Sequence, residues 1–252
     1  EDRYLSLNYR HPDLKKPLVR QAIAHAVNRK LIVEQALKGN GMELYSLVAP
    51  QLFGEDAKPS FQMYEYSPEK ARELLTKAGY KEGQINIKLY YEPTYFGAEE
   101  HEVAVLVKEQ LGDIGINVEL VPVEWTTLVT NLKKGAYDAT LFIWAYDYCD
   151  PDNYLPFVLR KGSYMTHAVG YIEEAYAERE DEVEDLLIKE AGETDPIKRR
   201  EYLHRLQDII AEDVIVVPLF IYKRYIFYRT NLLNVVGGGP PYAIRFDLID
   251  KT

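Results

Sequence analysis

In the segment Trp144-Ala145-Tyr146-Asp147-Tyr148-Cys149-Asp150-Pro151-Asp152-Asn153, rings and carboxylates crowd together directly after an apolar run, Ala139 to Ile143. Such a run reads as a buried strand. The acids and rings therefore sit where that strand leaves its sheet, the edge at which open α/β sheets bind ligands. Trp144 offers a face for stacking, and Asp147, three residues on, offers an anion to a cationic group. That is the chemistry of recognition rather than of reaction.

Catalytic and metal readings of the same residue types are weaker. The carboxylates of Asp147, Asp150 and Asp152 have the composition of a glycosidase pair, but acidic turns are far commoner. Cys149 is the only cysteine and has no nearby His, and no Gly-x-Ser-x-Gly elbow exists. The five histidines lack ligand spacing. The Asp150–Asn153 turn has neither the mid-loop Gly nor the closing Glu of a calcium loop. Gly237-Gly238-Gly239 lacks the Lys-Ser/Thr and helix of a phosphate loop, so it reads as a break before Pro240 and Pro241. No cofactor and no metal are expected.

The elements that must position the segment alternate regularly. Tyr4 to Tyr9 reads as a strand. Val19 to Leu37 has helical spacing with a break near Asn28, and residues 42–66, with Pro50, Gly54 and Pro59, read as a long irregular loop. Ser67-Pro68-Glu69 is a capped helix start, with Leu74 and Leu75 on the buried stripe and Gly79 as its stop. Ile85 to Tyr91 (strand), Glu99 to Leu111 (helix), Val118 to Val123 (strand), Trp125 to Lys134 (helix) and the strand at Ala139 follow. This order predicts βαβ crossovers and a mixed, largely parallel sheet flanked by helices, an α/β fold. Helices are predicted over Glu173–Ala191 and Pro196–Ala211, then two β-rich pieces over Val214–Tyr228 and an extended tail. Trp125 opens the helix after one strand and Trp144 ends the next, so both are placed along one sheet edge.

Composition narrows the partners. The net charge of −10 argues against nucleic acid or an anionic membrane as partner, because both need a basic surface. No apolar stretch is long enough to span a bilayer, and a single cysteine permits no internal disulfide. Tyr is abundant, 21 against 8 Phe, which fits aromatic surfaces with polar tips. Glu1 opens the chain without Met or a signal peptide, which reads as a processed or cut chain.

Several motifs then occur in a telling order. Val19-Arg20-Gln21-Ala22-Ile23-Ala24-His25-Ala26-Val27-Asn28-Arg29 is followed by Tyr66-Ser67-Pro68-Glu69-Lys70-Ala71-Arg72-Glu73-Leu74-Leu75-Thr76-Lys77-Ala78-Gly79-Tyr80. After these come Ile114-Gly115-Ile116, Glu124-Trp125, Gly135-Ala136-Tyr137-Asp138, the Trp144–Asn153 segment, Asp195-Pro196 with Arg199 and Arg200, Gln207, and Pro218-Leu219. Over nearly its whole length the chain resembles the C-terminal half of the peptide-type (oligopeptide/dipeptide, family 5) solute-binding proteins of ABC importers.

The resemblance implies a periplasmic-binding-protein-like lobe, with residues 1–252 forming one C-terminal ligand-binding lobe of a protein roughly twice as long. Residues 1–10 and 214–252 would lie near the hinge and contact a missing N-terminal lobe. It further implies an extracytoplasmic, non-enzymatic receptor that delivers short peptides to an ABC permease, tethered only by a lipid anchor outside this chain. Asp147 stands where the family receives the peptide ammonium, and Trp144, Trp125 and Tyr146 would shape the pocket. An approximate alignment puts Leu132 and Leu141 where some oligopeptide binders carry basic residues for the ligand carboxylate. An oligosaccharide receptor of the same family, with the two Trp stacking on sugars, stays open. So does a cytoplasmic regulator's sensor domain, while a nickel-complex or haem receptor lacks distinctive ligands.

Overall fold

The computed structural model describes residues 2–54, 64–235 and 248–251. Strand β1 (Asp2–Leu7) leads to α1 (Pro17–Ala26), α2 (Arg29–Gln35), the short β2 (Gly41–Glu43) and one turn of helix, α3 (Pro50–Phe53). Next come α4 (Pro68–Lys77), β3 (Ile85–Tyr91), α5 (Glu99–Gly112), β4 (Ile116–Pro122), α6 (Trp125–Lys134) and β5 (Ala139–Trp144). A 3-10 turn (Pro151–Asn153) precedes α7 (Leu155–Leu159), α8 (Tyr164–Val169), α9 (Glu180–Gly192), α10 (Pro196–Asp213) and β6 (Val216–Tyr222). Two short strands, β7 (Leu232–Leu233) and β8 (Asp250–Lys251), pair with each other.

Local chemistry accounts for most helix starts. The side chain of Asn28 accepts a hydrogen bond from the Leu31 N–H (3.0 Å), breaking the 19–37 run into α1 and α2 as expected. Ser67 and Asp195 cap α4 and α10 in the same way, and each is followed by Pro at the first helical position, where no N–H is missed.

The sheet is mixed, in the order β2-β6-β1-β5-β3-β4. Its parallel part is β4-β3-β5, which α5 and α6 connect. The rest is antiparallel, because β1 pairs with both β5 and β6, and β2 joins the far side of β6. Apolar residues cover both faces. Leu5, Leu7, Ile23, Ile87, Val107 and Leu141 belong to one core cluster, and Tyr4, Leu128, Leu155, Leu206, Ile210 and Val216 to the other.

Several predicted bounds shift. The first strand ends at Leu7, because the Asn8 and Tyr9 N–H groups turn away to the carbonyls of Asp138 and Val169. The predicted 173–191 helix begins only at Glu180. Before it, a π turn (Tyr171–Ala175) and a 3-10 turn (Ala177–Arg179) swing Tyr171 and Tyr176 onto Tyr9, with ring centroids 5.8 Å away in both cases. Val214–Tyr228 holds one strand, since the β6 ladder ends where Tyr222 meets Gly41, and residues 223–228 have no strand partner. The 42–66 loop contains the end of β2 and all of α3. Pro59, Glu1, the Gly237–Pro241 break and most of the predicted tail lie outside the described residues. Among the described residues, no helix is long and apolar enough to cross a membrane.

Arg29 ties the β2–β6 side of the sheet to α2 while itself buried. Its Nε donates to the carbonyls of Leu44 (3.0 Å) and Pro218 (2.7 Å), and its Nη1 donates to those of Val27 (3.3 Å) and Tyr64 (3.1 Å). Burial lowers its pKa to about 10, so it remains cationic at neutral pH. Arg29→Leu would leave these buried acceptors without donors. Urea unfolding should show a loss of about 3 kcal/mol with an unchanged m-value; a loss under about 1 kcal/mol would mean the carbonyls find other partners.

Candidate ligand-binding site at the carboxyl edge of the sheet

Because β3, β4 and β5 run parallel, Tyr91, Pro122 and Trp144 all end at one edge. Antiparallel pairing sets Asp2 opposite both Trp144 and Ile221, and Gly41 opposite Tyr222. The start of β1 and the chain leaving β6 therefore stand at that same edge. Three loops crown it, over residues 92–98, 123–124 and 145–150.

The third loop carries the predicted segment, and one side-chain oxygen organises it. Asn153 Oδ1 accepts hydrogen bonds from the Trp144 indole Nε1–H (3.2 Å) and from the Asp147 backbone N–H (3.1 Å). Asn153 is itself 8% exposed. Trp144 lies nearly parallel to Phe157, with ring centroids 3.8 Å apart, and Tyr164 stacks beyond it. Tyr146 is half-buried, edge-on to Phe53 and tilted against Tyr154; burial raises its pKa. Asp147 is exposed. Its backbone is held, while its carboxylate engages no side chain or backbone donor among the described residues. The remaining acids of the segment are committed elsewhere. Asp150 receives both Arg199 Nη1 (3.0 Å) and Nη2 (2.6 Å), and Asp152 accepts the Tyr148 hydroxyl (2.8 Å). Burial works against the Asp150 charge, yet Arg199 outweighs it and holds the carboxyl below its usual range.

Trp125 belongs to a second aromatic group. It stacks on Tyr95 (5.5 Å, 11° between planes) and meets the edge of Phe96 (5.3 Å). Tyr95 is 70% exposed, so this platform faces solvent. Beneath it the Arg3 guanidinium lies 4.4 Å from the Phe96 ring centre, paired through Nε with Glu100 (3.0 Å), both charges buried. Glu92 folds the 92–96 turn, accepting from the Thr94 N–H and hydroxyl and from the Tyr95 N–H. Burial opposes its charge, but these donors and the Phe96 N–H hold its pKa down. No ring contact joins Trp125 to Trp144 among the described residues, so the edge presents two aromatic patches.

An edge that pairs a free carboxylate with exposed rings suits ligand capture, and comparison with known proteins agrees. Residues 1–165 match the model of the bacterial extracellular solute-binding proteins, family 5 (middle region). The chain belongs to this family. It is 28% identical over 212 residues to a dipeptide-binding protein of Escherichia coli K12, covering 83% of this chain and 38% of that protein. It is 32% identical over 219 residues to di/tripeptide-binding protein 1 of Pseudomonas aeruginosa UCBPP-PA14, covering 86% and 39%. In structure it is similar to a dipeptide-binding protein from Pseudoalteromonas sp. SM9913 in complex with Met-Leu. There the TM-score is 0.79 and the identity 26%, over 100% of this chain and 48% of that one. The chain thus spans about two-fifths of the length of these curated relatives, which are binding proteins rather than enzymes.

In this family 5 chain, Leu132 and Leu141 do not stand at the edge. Both are 1% exposed, in the cores on opposite faces of the sheet, so the alignment that set them beside a ligand carboxylate is corrected. Tyr95, Phe96 and Glu92 are not singled out by the sequence alone. Their signal was the one recognised at Trp144, an acid and aromatics directly after an alternating strand. Asn153, read as part of a turn, is the residue that joins ring to acid. Asn153→Ala should therefore free both donors. Trp144 emission should move to longer wavelength and stability should fall by about 1–2 kcal/mol; unchanged emission would show that the Phe157 stack alone fixes the ring.

Proposed function

We propose that this chain is one lobe, the C-terminal one, of an extracytoplasmic receptor that captures short peptides for an ABC permease. The carrying observation is the Asp147 carboxylate, exposed and unengaged while its backbone is fixed by Asn153 at the carboxyl edge. A peptide ammonium needs such an anion, and the pair strengthens once a closing lobe excludes water. Trp144, Tyr146 and Trp125 supply apolar walls for side chains, and backbone groups supply contacts indifferent to sequence. The names of the dipeptide and di/tripeptide binders above support this ligand class.

A two-lobed arrangement is supported by what leaves the edge. After β6, Tyr225, Ile226, Phe227 and Tyr228 are exposed, Phe227 by 93%. Apolar residues in a row at the surface mark an interaction site, and a second lobe hinged at β1 and β6 would cover them. A second reading, an oligosaccharide receptor, draws on the open face of the Tyr95–Trp125 stack. It predicts that Asp147 accepts hydroxyls.

Calorimetry of the two-lobed protein with Met-Leu and N-acetyl-Met-Leu separates these readings. Asp147→Ala should weaken Met-Leu binding by roughly 30-fold or more, and acetylation of the ligand should do the same to the unaltered protein. Equal affinities throughout would remove the ammonium role. The lobe alone should bind weakly, because half of the buried contact is lacking; tight binding by it would contradict the two-lobed cleft.

A further inference from the structure

The Asp147 loop is held by a residue that lies far from the sheet edge in sequence. Arg199, in the first turn of α10, forks onto Asp150, with Nη1 donating to Oδ2 (3.0 Å) and Nη2 to Oδ1 (2.6 Å). The same guanidinium closes the end of α9. Its Nε donates to the Glu190 backbone oxygen (3.1 Å), a carbonyl of the last turn that has no partner inside the helix. Its Nη2 also donates to Glu190 Oε2 (3.1 Å), on a fully buried side chain. All three nitrogens of Arg199 are thus engaged, and two helices are joined to the loop. A single exposed ion pair would be too weak to fix a geometry. This pair is bidentate, its side chains are only 27% and 33% exposed, and a buried carboxyl shares the cation.

From Asp150 the constraint passes along the main chain. Asp150 Oδ1 accepts the Asp152 N–H (2.9 Å), and the Asp150 backbone oxygen accepts the Asn153 N–H (3.0 Å), which together wind the 3-10 turn. The turn delivers Asn153, whose Oδ1 takes the Trp144 indole N–H and the Asp147 N–H. We propose that Arg199 is a positioning residue for the binding loop: through Asp150 and the 3-10 turn it fixes both the Trp144 ring and the main chain that carries Asp147. Arg199 itself touches no ligand. Its part in capture rests on the reading of Asp147 as the receptor of a peptide ammonium.

Two consequences separate positioning from a purely structural clamp. Loss of the fork should loosen Trp144 and the turn while α9, α10 and the sheet persist, because Asp150 belongs to the loop and not to those elements. The cost to ligand affinity should also depend on Asp147. Once that carboxylate is removed, its placement no longer matters, so the two losses should not add.

The test uses two readouts. In this chain carrying Trp125→Phe, Trp144 is the sole indole and reports on the loop without any ligand. Arg199→Met should raise acrylamide quenching of Trp144 with the far-ultraviolet circular dichroism retained. Asp150→Asn, which removes only the loop's half of the pair, should do the same and covers the case in which Arg199→Met fails to fold. Quenching unchanged by Asp150→Asn would overturn the proposal. The second readout is calorimetry of the two-lobed protein with Met-Leu. Asp150→Asn should weaken binding roughly tenfold, the worth of one charged hydrogen bond, and should cost nothing further in an Asp147→Ala background. Fully additive losses would reduce Arg199 to a stabilising contact and overturn its part in capture. If Asp147→Ala leaves Met-Leu affinity unchanged while quenching rises in Asp150→Asn, the peptide reading falls and the positioning of the loop stands. If Asp147→Ala weakens Met-Leu and Asp150→Asn changes neither readout, the positioning role falls alone.

Discussion

Strand β1 is the constraint on which the rest depends. It is buried along its length and pairs antiparallel with β5 on one side and β6 on the other. Without it the sheet divides into β2-β6 and β5-β3-β4. Its register also shapes the candidate site, because Asp2 opposite Trp144 puts the incoming chain beside the 145–150 loop. Polar residues buried in a central strand cost stability unless they find partners, and most of the polar groups here do, Arg3 Nη1 being an exception among the described residues. Arg3 pairs with Glu100, the Tyr4 hydroxyl donates to the Leu47 carbonyl (2.7 Å), and Ser6 meets the Tyr137 hydroxyl (3.3 Å). These contacts tie the strand to helices and loops on both faces.

The edge gains its chemistry from a division of labour among acids. Of those in the Trp144–Asn153 segment, Asp150 and Asp152 are bound to protein groups, and Asp147 alone is left to solvent with its backbone fixed. Fixing the main chain while leaving the carboxylate free lowers the ordering cost of capture. The stacked Phe157 and the shared acceptor Asn153 do the same for Trp144. In the proposed reading, recognition depends less on the number of charged groups than on which of them the fold leaves unused.

Much of this was legible in the sequence where the governing interactions are local. Ser67 announced a helix start, and Asn28 a break in the helical run, because a cap acts within three residues. The alternation of Ile85 to Tyr91 announced a half-buried strand, and the Trp144 segment announced the edge. What stayed hidden depends on distant partners. Arg199 lies 49 residues from Asp150, and the stack of Tyr95 on Trp125 forms only when β3 and β4 end side by side. Regular helix–strand alternation implied a mixed, largely parallel sheet, but the insertion of β1 antiparallel between β5 and β6 is set by distant pairing. α7 and α8 span five and six residues, too few for a period to show. Leu132 and Leu141 show the reverse error, in which an alignment position suggested a ligand contact and burial excludes it.

The most direct measurement is a crystal structure of the two-lobed protein with Met-Leu bound. The peptide ammonium should lie about 2.8 Å from an Asp147 carboxylate oxygen, with Asn153 still bridging Trp144 and the Asp147 N–H. An ammonium held by another group, with Asp147 left in solvent, would contradict the assignment of this edge.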